Sequence, residues 1–541
     1  MIRRHPLVAL LSLLFVAVCA VLGARAPVDL DTIDVALAVQ QQDLRLHQPP
    51  PPGAILYIWI VQLVHALTGN TLLALRSVAL LTVVAAGITL FRLARTLFDP
   101  RCARWTLLFF LCSPLALFRG MTSSAASAPA LAAALTVFLC LGARRESGLA
   151  RRAYIIGLLA GLGQTVLLFT LPLLLLTLRR LRLDRGAAMH AGIAWCVGTL
   201  CWLVPQMEVA GGAAEYVRAS AVLAGEMLRT APVRAGFGAC VDSLRTLVVL
   251  LLCGFGVVRV VGLLALRVAL PRRPDAAPQG PRSFDRALVA AWVLPPLLFT
   301  TLLHPEGTGS AFAVWPALAL GLAALLRSLL SGTRRWRRLT AVASTLLFLD
   351  VAIFFAVPPT LLEARLTAER DGARVEELAQ GAPAAMHAWW MRAPDGLQAT
   401  ARRFFPGVDF FFDRTRVPEF DGFRRAVRAL AEPPERVLLL GRRLTRAVCW
   451  FEPETQVIHA EPLRAESFLL YSGRRASRPD TPYEVAPRVT LILVEGSLTQ
   501  LQIDSGARHP ESGPLGARSG LRVLPVGDSA LDAWFLPAGN E

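Results

Sequence analysis

Acidic side chains are scarce between residues 1 and 357, so the place where they gather stands out. The densest polar stretch holds Asp29, Asp31, Asp34, Asp43 and His47, then Gln48, four prolines and Gly53. Asp31 and Asp34 stand three positions apart, so on a helix they share one face. A carboxylate held there could act as general base on an acceptor hydroxyl or amine. A plainer role is also open: Asp31 would cap a helix beginning near Thr32, with Asp34 in its first turn. The proline run cannot be helical. It predicts a stiff extended segment ending in a turn at Gly53, which would fix this loop against the element that follows.

The elements that must position these residues are apolar. The chain has 541 residues, is 54% hydrophobic and has a mean hydropathy of +0.51, well outside the range of soluble proteins. Runs such as Pro6–Ala24, Ala287–Leu303 and Leu339–Val357 are long enough to cross about 30 Å of hydrocarbon. In lipid they must be helical, because no water is there to satisfy the backbone. Arginines cluster at Met1–His5, Arg92–Arg104, Arg144–Arg152, Arg179–Arg185, Arg267–Arg286 and Arg334–Arg338, and these predict the cytoplasmic side. The connecting runs are Leu73–Phe91, Trp105–Phe118, Ala128–Leu141, Tyr154–Leu178, His190–Pro205, Thr246–Leu266 and Ser310–Leu326. Tyr154–Leu178 is too short for two full spans, which predicts a pair of broken helices turning near Gly163. The count is about eleven membrane segments, with the N-terminus inside and the C-terminus outside. Gly53–Leu67 and the amphipathic Gly211–Leu228 are read as helices lying at the outer interface. Arg259, towards the cytoplasmic end of its run, is expected to snorkel to that interface. Asp350, in the middle of the last run, is expected to pair with a neighbouring helix.

The organisation is therefore a polytopic α-helical membrane domain over residues 1–357, its first outer loop spanning 25–72, and an extracytoplasmic α/β domain over 358–541. In the tail Arg365–Leu378 reads as helical, and Arg436–Leu440 and Val489–Val494 as short buried strands. The formal charge of +17 is carried by arginine alone and lies between the apolar runs, so it writes topology and excludes a nucleic-acid partner. Of nine cysteines, Cys19, Cys112, Cys140, Cys196, Cys201 and Cys253 fall within apolar runs, which predicts neither a disulfide framework nor a zinc site.

Asp31-Thr-Ile-Asp34-Val-Ala-Leu-Ala, followed by His47-Gln-Pro-Pro-Pro-Pro-Gly53, resembles the first outer loop of bacterial GT-C glycosyltransferases. These are the relatives of dolichyl-phosphate-mannose protein mannosyltransferases and lipid A aminoarabinose transferases. Further segments follow the family in order. They are the helix entry with Arg76, Gly161-Leu-Gly-Gln164 with Leu171-Pro172, Leu303-His304-Pro-Glu306 with Trp315-Pro316, and Arg446 to Pro453 in the tail. The resemblance implies transfer of a sugar from a polyprenyl-phosphate donor to an envelope acceptor (lipid, polysaccharide or protein) at the outer face of a bacterial inner membrane. It implies Asp31 as general base, with Asp34 supporting or sharing that role. It implies donor or substrate contacts from His47, Gln48, Arg76, Gln164, His304 and Glu306. Arg76 would neutralise the donor phosphate, although a helix-end arginine also snorkels. A divalent cation, magnesium or manganese, could sit at Asp31 and Asp34, but further ligands are not visible in the sequence.

The chain departs from the family pattern at four places. Gly163 replaces an arginine, Ala54 and Ser310 replace tyrosines, and the stretch Arg119–Pro129 has no acid. These departures define an alternative: a relative that binds a lipid-linked glycan or scaffolds envelope assembly without catalysis. A transporter is a third reading. Neither repeated halves nor charge-lined spans support it, Arg259 and Asp350 being the exceptions.

Overall fold

The computed structural model describes residues 6–355 apart from 23–29, 45–47, 50–52, 123–124, 143–147, 164, 182–183, 270–285, 304–311 and 332–335, and beyond them six strands. Contacts divide the chain into two compact units, Met1–Val28 with Asp43–Thr415, and Asp29–Gln42 with Arg416–Glu541.

The first unit is helical. Its opening elements are α1 (Pro6–Leu22), while α2 (Leu30–Gln40) belongs to the second unit, and α3 (Ile55–Thr68) and α4 (Thr71–Leu97) resume the first. Then come α5 (Pro100–Leu111), α6 (Pro114–Met121), α7 (Ala128–Gly142), α8 (Leu149–Leu159), α9 (Val166–Arg180) and α10 (Arg185–Val209). They are followed by α11 (Ala213–Thr230), the single turn α12 (Pro232–Ala235), α13 (Phe237–Phe255), α14 (Val257–Ala269), α15 (Arg286–Leu302), α16 (Trp315–Ser331) and α17 (Trp336–Phe355). Each apolar run read from the sequence falls on one of these helices or on a broken pair. Among the described residues, α4 and α10 are individually long and apolar enough to cross a membrane, and α5 with α6 forms a third candidate bent by 58°. Five further apolar helices are shorter over their described residues.

The helix breaks are locally explained. Asp99 caps α5 by accepting from the N–H groups of Arg101 (2.8 Å) and Cys102 (2.9 Å), and Pro100 occupies the first helical position. Ser113 and Pro114 begin α6 in the same way. Pro114 has no N–H to give the Phe110 carbonyl, so the Ser113 hydroxyl donates to it instead at 2.7 Å. The predicted break near Gly163 is present: α8 ends in a one-turn 3-10 helix, Ala160–Leu162, and α9 starts at Val166. α3 is shorter than a span. It buries Ile55, Tyr57, Ile58 and Val61 and exposes Trp59, Ile60, Leu63 and Leu67, so both faces are apolar. Helices α8 and α10 meet at small residues. A Cβ on Gly198 would fall 2.1 Å from the Tyr154 carbonyl oxygen, and one on Gly157 would fall 2.3 Å from that of Trp195.

Arg259 does not snorkel. It is fully buried and donates from Nε to Asp350 Oδ2 at 3.3 Å. Asp350, reaching from α17, also accepts from the Val258 and Arg259 N–H groups at 3.1 and 3.0 Å, so it caps α14 at the break made by Gly256. Arg259 Nη1 donates at 2.9 Å to Phe109, whose carbonyl is freed because the Ser113 N–H turns to Phe110. The run that reads as one interrupted span is thus two helices, and its arginine satisfies the backbone of another broken pair. Pairing outcompetes snorkelling because the helix break at Gly256 and the bend at Ser113 each leave polar backbone at the same depth.

The second unit holds α2 and a six-stranded sheet. The strands are β1 (Arg436–Leu440), β2 (Gln456–Ala460), β3 (Phe468–Ser472), β4 (Arg475–Ser477), β5 (Leu491–Glu495) and β6 (Leu521–Pro525), in the order β4-β3-β2-β1-β5-β6. β1 runs parallel to β2 and β5, and the outer pairs are antiparallel. Two of these strands coincide with the runs expected to be strands; Arg365–Leu378 lies outside the described residues.

Candidate functional site

In α2 every residue from Thr32 to Val39 is buried, so the helix is enclosed on all faces. Asp31 lies within the described helix, Leu30–Gln40, and not ahead of it as a cap. Asp34 follows three residues on, with its side chain fully buried. Buried carboxylates are expensive to hold and concentrate where a protein does chemistry.

The first unit carries the rest of the loop. Asp43 and Gln48 form a two-bond backbone bridge, the Asp43 N–H donating to the Gln48 carbonyl at 2.8 Å and the Gln48 N–H donating back at 3.0 Å. The bridge closes the loop that contains His47 and presents the Gln48 side chain inward, fully buried. Gly53 ends the proline run with φ +92°, a conformation that L side chains rarely adopt, and α3 starts two residues later. A Cβ at Gly53 would lie 2.6 Å from the carboxamide of Gln206, a buried residue near the end of α10. One turn before Gln206, Trp202 joins an apolar cluster with Ile55, Ala132, Ala160 and Val166. That cluster brings together the start of α3, α10 and the break after α8, which leads into Gln164.

Arg76, near the start of α4, donates from Nη2 to the Cys19 carbonyl at 2.7 Å and to the Ala20 carbonyl. It thereby satisfies the C-terminal end of α1, which a cation there also favours electrostatically. Gly120 of α6 seats against the same place: a Cβ on it would fall 2.8 Å from Cys19 Sγ. Its neighbour Arg119 is buried, with its guanidinium 5.7 Å from the Phe118 ring centroid.

Of the residues singled out in the sequence, His47, Gln164, His304 and Glu306 lie outside the described residues, as does the side chain of Asp31. Among the described residues no three His, Cys, Asp or Glu side chains converge as metal ligands. Sequence reasoning passed over Arg119 and Gln206. The available signal was their position, each a polar residue at the end of an apolar run.

Residues 49–204 match the family model for dolichyl-phosphate-mannose-protein mannosyltransferase. The fold is similar to the crystal structure of ArnT from Cupriavidus metallidurans bound to undecaprenyl phosphate, with a TM-score of 0.53 and 13% identity over 97% of this chain and 98% of that one. It is similar too to the apo state of the same protein, with a TM-score of 0.50 and 14% identity over 98% and 99% of the two chains. No curated protein matches. Residues 49–204 thus resemble the dolichyl-phosphate-mannose-protein mannosyltransferase family, and over nearly its whole length the chain has a fold like that of ArnT.

Proposed function

We propose that the protein is a membrane glycosyltransferase that moves a sugar from a polyprenyl-phosphate donor to an envelope acceptor at the outer face of a bacterial inner membrane. The observation that carries this reading is a coincidence. The family match begins at Pro49, inside the loop that bears the carboxylates and the proline run, and the near-complete fold likeness is to a protein crystallised with undecaprenyl phosphate. The arginine clusters place the N-terminus in the cytoplasm and the C-terminal domain, residues 358–541, outside.

In the reaction the acceptor oxygen or nitrogen attacks the anomeric carbon. The bond from that carbon to the phosphate oxygen breaks, and the polyprenyl phosphate leaves with the bonding pair. Asp31, with Asp34 beside it on α2, takes the acceptor proton. Arg76 is held by its Nη2 on the end of α1, and its guanidinium charge would neutralise the departing phosphate. His47, Gln48, Gln164, His304 and Glu306 complete the donor and sugar contacts. A divalent cation at Asp31 and Asp34 would add charge to the same leaving group. No step in this account depends on it.

A non-catalytic relative that binds lipid-linked glycan is the second reading. It is favoured by the absence of an acid in Arg119–Pro129 and by Gly163. The two are separated by supplying purified protein with polyprenyl-phosphate sugars and an envelope extract, and measuring free polyprenyl phosphate. Release supports the transferase. Donor binding without release supports the second reading.

A further inference from the structure

Two carboxamides in the first unit are buried without the partners that burial demands. Gln206 is 1% exposed, and its Oε1 has no hydrogen-bond partner among the described residues. Gln48 is fully buried, and neither its Oε1 nor its Nε2 has one. Gln48 opens the proline run, Gly53 closes it, and the Gln206 carboxamide occupies the space that a side chain at position 53 would fill. The neighbouring Ile55 and Trp202 belong to an apolar cluster and offer no compensating polar atom from their side of the site, the Trp202 Nε1 being committed to the Gly157 carbonyl at 3.0 Å. An unpaired amide in such surroundings costs stability and marks a place where a ligand completes the hydrogen bonds.

The unsatisfied atoms also state what kind of ligand. A phosphate presents only acceptors and would be repelled by the Oε1 atoms of both residues. A hydroxyl both donates and accepts, and so pairs with Oε1 and Nε2 alike. We propose that the carboxamides of Gln206 and Gln48 recognise the hydroxyl groups of a sugar ring, the lack of a Cβ at Gly53 leaving room for the Gln206 amide. Gln206 thereby becomes a specificity-determining residue. The proposal rests on the glycosyltransferase reading and names the part of the substrate that the loop recognises.

The test compares wild type with Gln206→Met and Gln48→Met in detergent. The probes are undecaprenyl phosphate, a panel of undecaprenyl-phosphate hexoses and pentoses, and the matching soluble methyl glycosides. Methionine keeps the volume and removes the unpaired amide, so both variants are expected to fold and to melt no lower than wild type. Wild type should bind at least one sugar-bearing lipid more tightly than undecaprenyl phosphate. Each variant should lose that preference by on the order of tenfold, and Gln206→Met should do so while holding bare undecaprenyl phosphate unchanged. A loss seen with methyl glycosides and not with lipid-linked sugars assigns the subsite to the acceptor; the reverse assigns it to the donor. A folded variant that keeps both the full lipid preference and wild-type binding of the methyl glycosides overturns the subsite, as does a variant that melts well below wild type, because the amides would then be structural. Wild-type binding of undecaprenyl phosphate with no preference for any sugar overturns the subsite and leaves the donor reading standing. Failure to bind any of the lipids overturns both.

Discussion

Arg259 and Asp350 form an ion pair inside the apolar core, and the consequences of removing one partner differ from those of removing both. Asp350→Ala leaves a buried guanidinium uncompensated and uncaps α14, and should cost about 3–5 kcal/mol. Arg259→Met combined with Asp350→Leu removes both charges and should recover most of that loss. Reversible denaturation in mixed micelles measures both; equal losses in the single and double variants would show that the backbone bonds, not the charges, matter. Asp99 gives a second residue-level expectation. Burial opposes its ionisation, but the Cys102 and Arg101 N–H groups and the Arg327 guanidinium outweigh this and hold its carboxyl below the usual carboxylate range. A depressed folded pKa adds stability above the unfolded value, near 3.9, and that stability is lost as pH falls through the folded value. The melting difference between wild type and Asp99→Asn should therefore be constant near neutrality and shrink below about pH 4. At this scale the sequence exposed the scarce acids but not all their partners. Asp350 was legible as a paired group, whereas Arg259 was misread, because the carboxylate that holds it is 91 residues away.

The packing of α8 on α10 makes an element-level prediction with its own control. Gly198 has no room for a Cβ against the Tyr154 carbonyl, whereas Gly192 on the same helix has nothing within 4 Å. Gly198→Val should destabilise by about 1–3 kcal/mol or more through overpacking, and Gly192→Val by less than about 0.5 kcal/mol. Thermal unfolding of the two variants side by side checks it; similar losses would mean that glycine flexibility, not close approach, is the operative property. The helices themselves were largely readable, since apolar runs bounded by arginines have few alternatives in lipid. The break at Gly163 was readable from length alone. The breaks at Ser113 and Gly256 were not, because a proline or glycine inside an apolar run breaks it only where other groups can satisfy the freed carbonyls. At Ser113 the Phe109 carbonyl is met by Arg259, 150 residues away, and after Gly256 the Val258 and Arg259 N–H groups are met by Asp350.

For the whole molecule, the arginine clusters predict that reporters fused within 144–152 report cytoplasm, and that reporters fused after residue 357 report the outer face. A reversed pattern would place the carboxylate loop on the wrong side for an outer-face transfer. The sequence divided the chain at residue 357, but contacts join Asp29–Gln42 to Arg416–Glu541. No local pattern announces that a short helix near the N-terminus packs with a unit formed nearly four hundred residues later. The most direct test of the central claim is release of free undecaprenyl phosphate from a lipid-linked sugar by wild type, Asp31→Asn and Asp34→Asn, each shown to be folded. Loss of a general base predicts a fall of about 10²–10⁴-fold in Asp31→Asn, with a smaller fall in Asp34→Asn. Release undiminished in both variants would contradict the assignment of this helix to the chemistry.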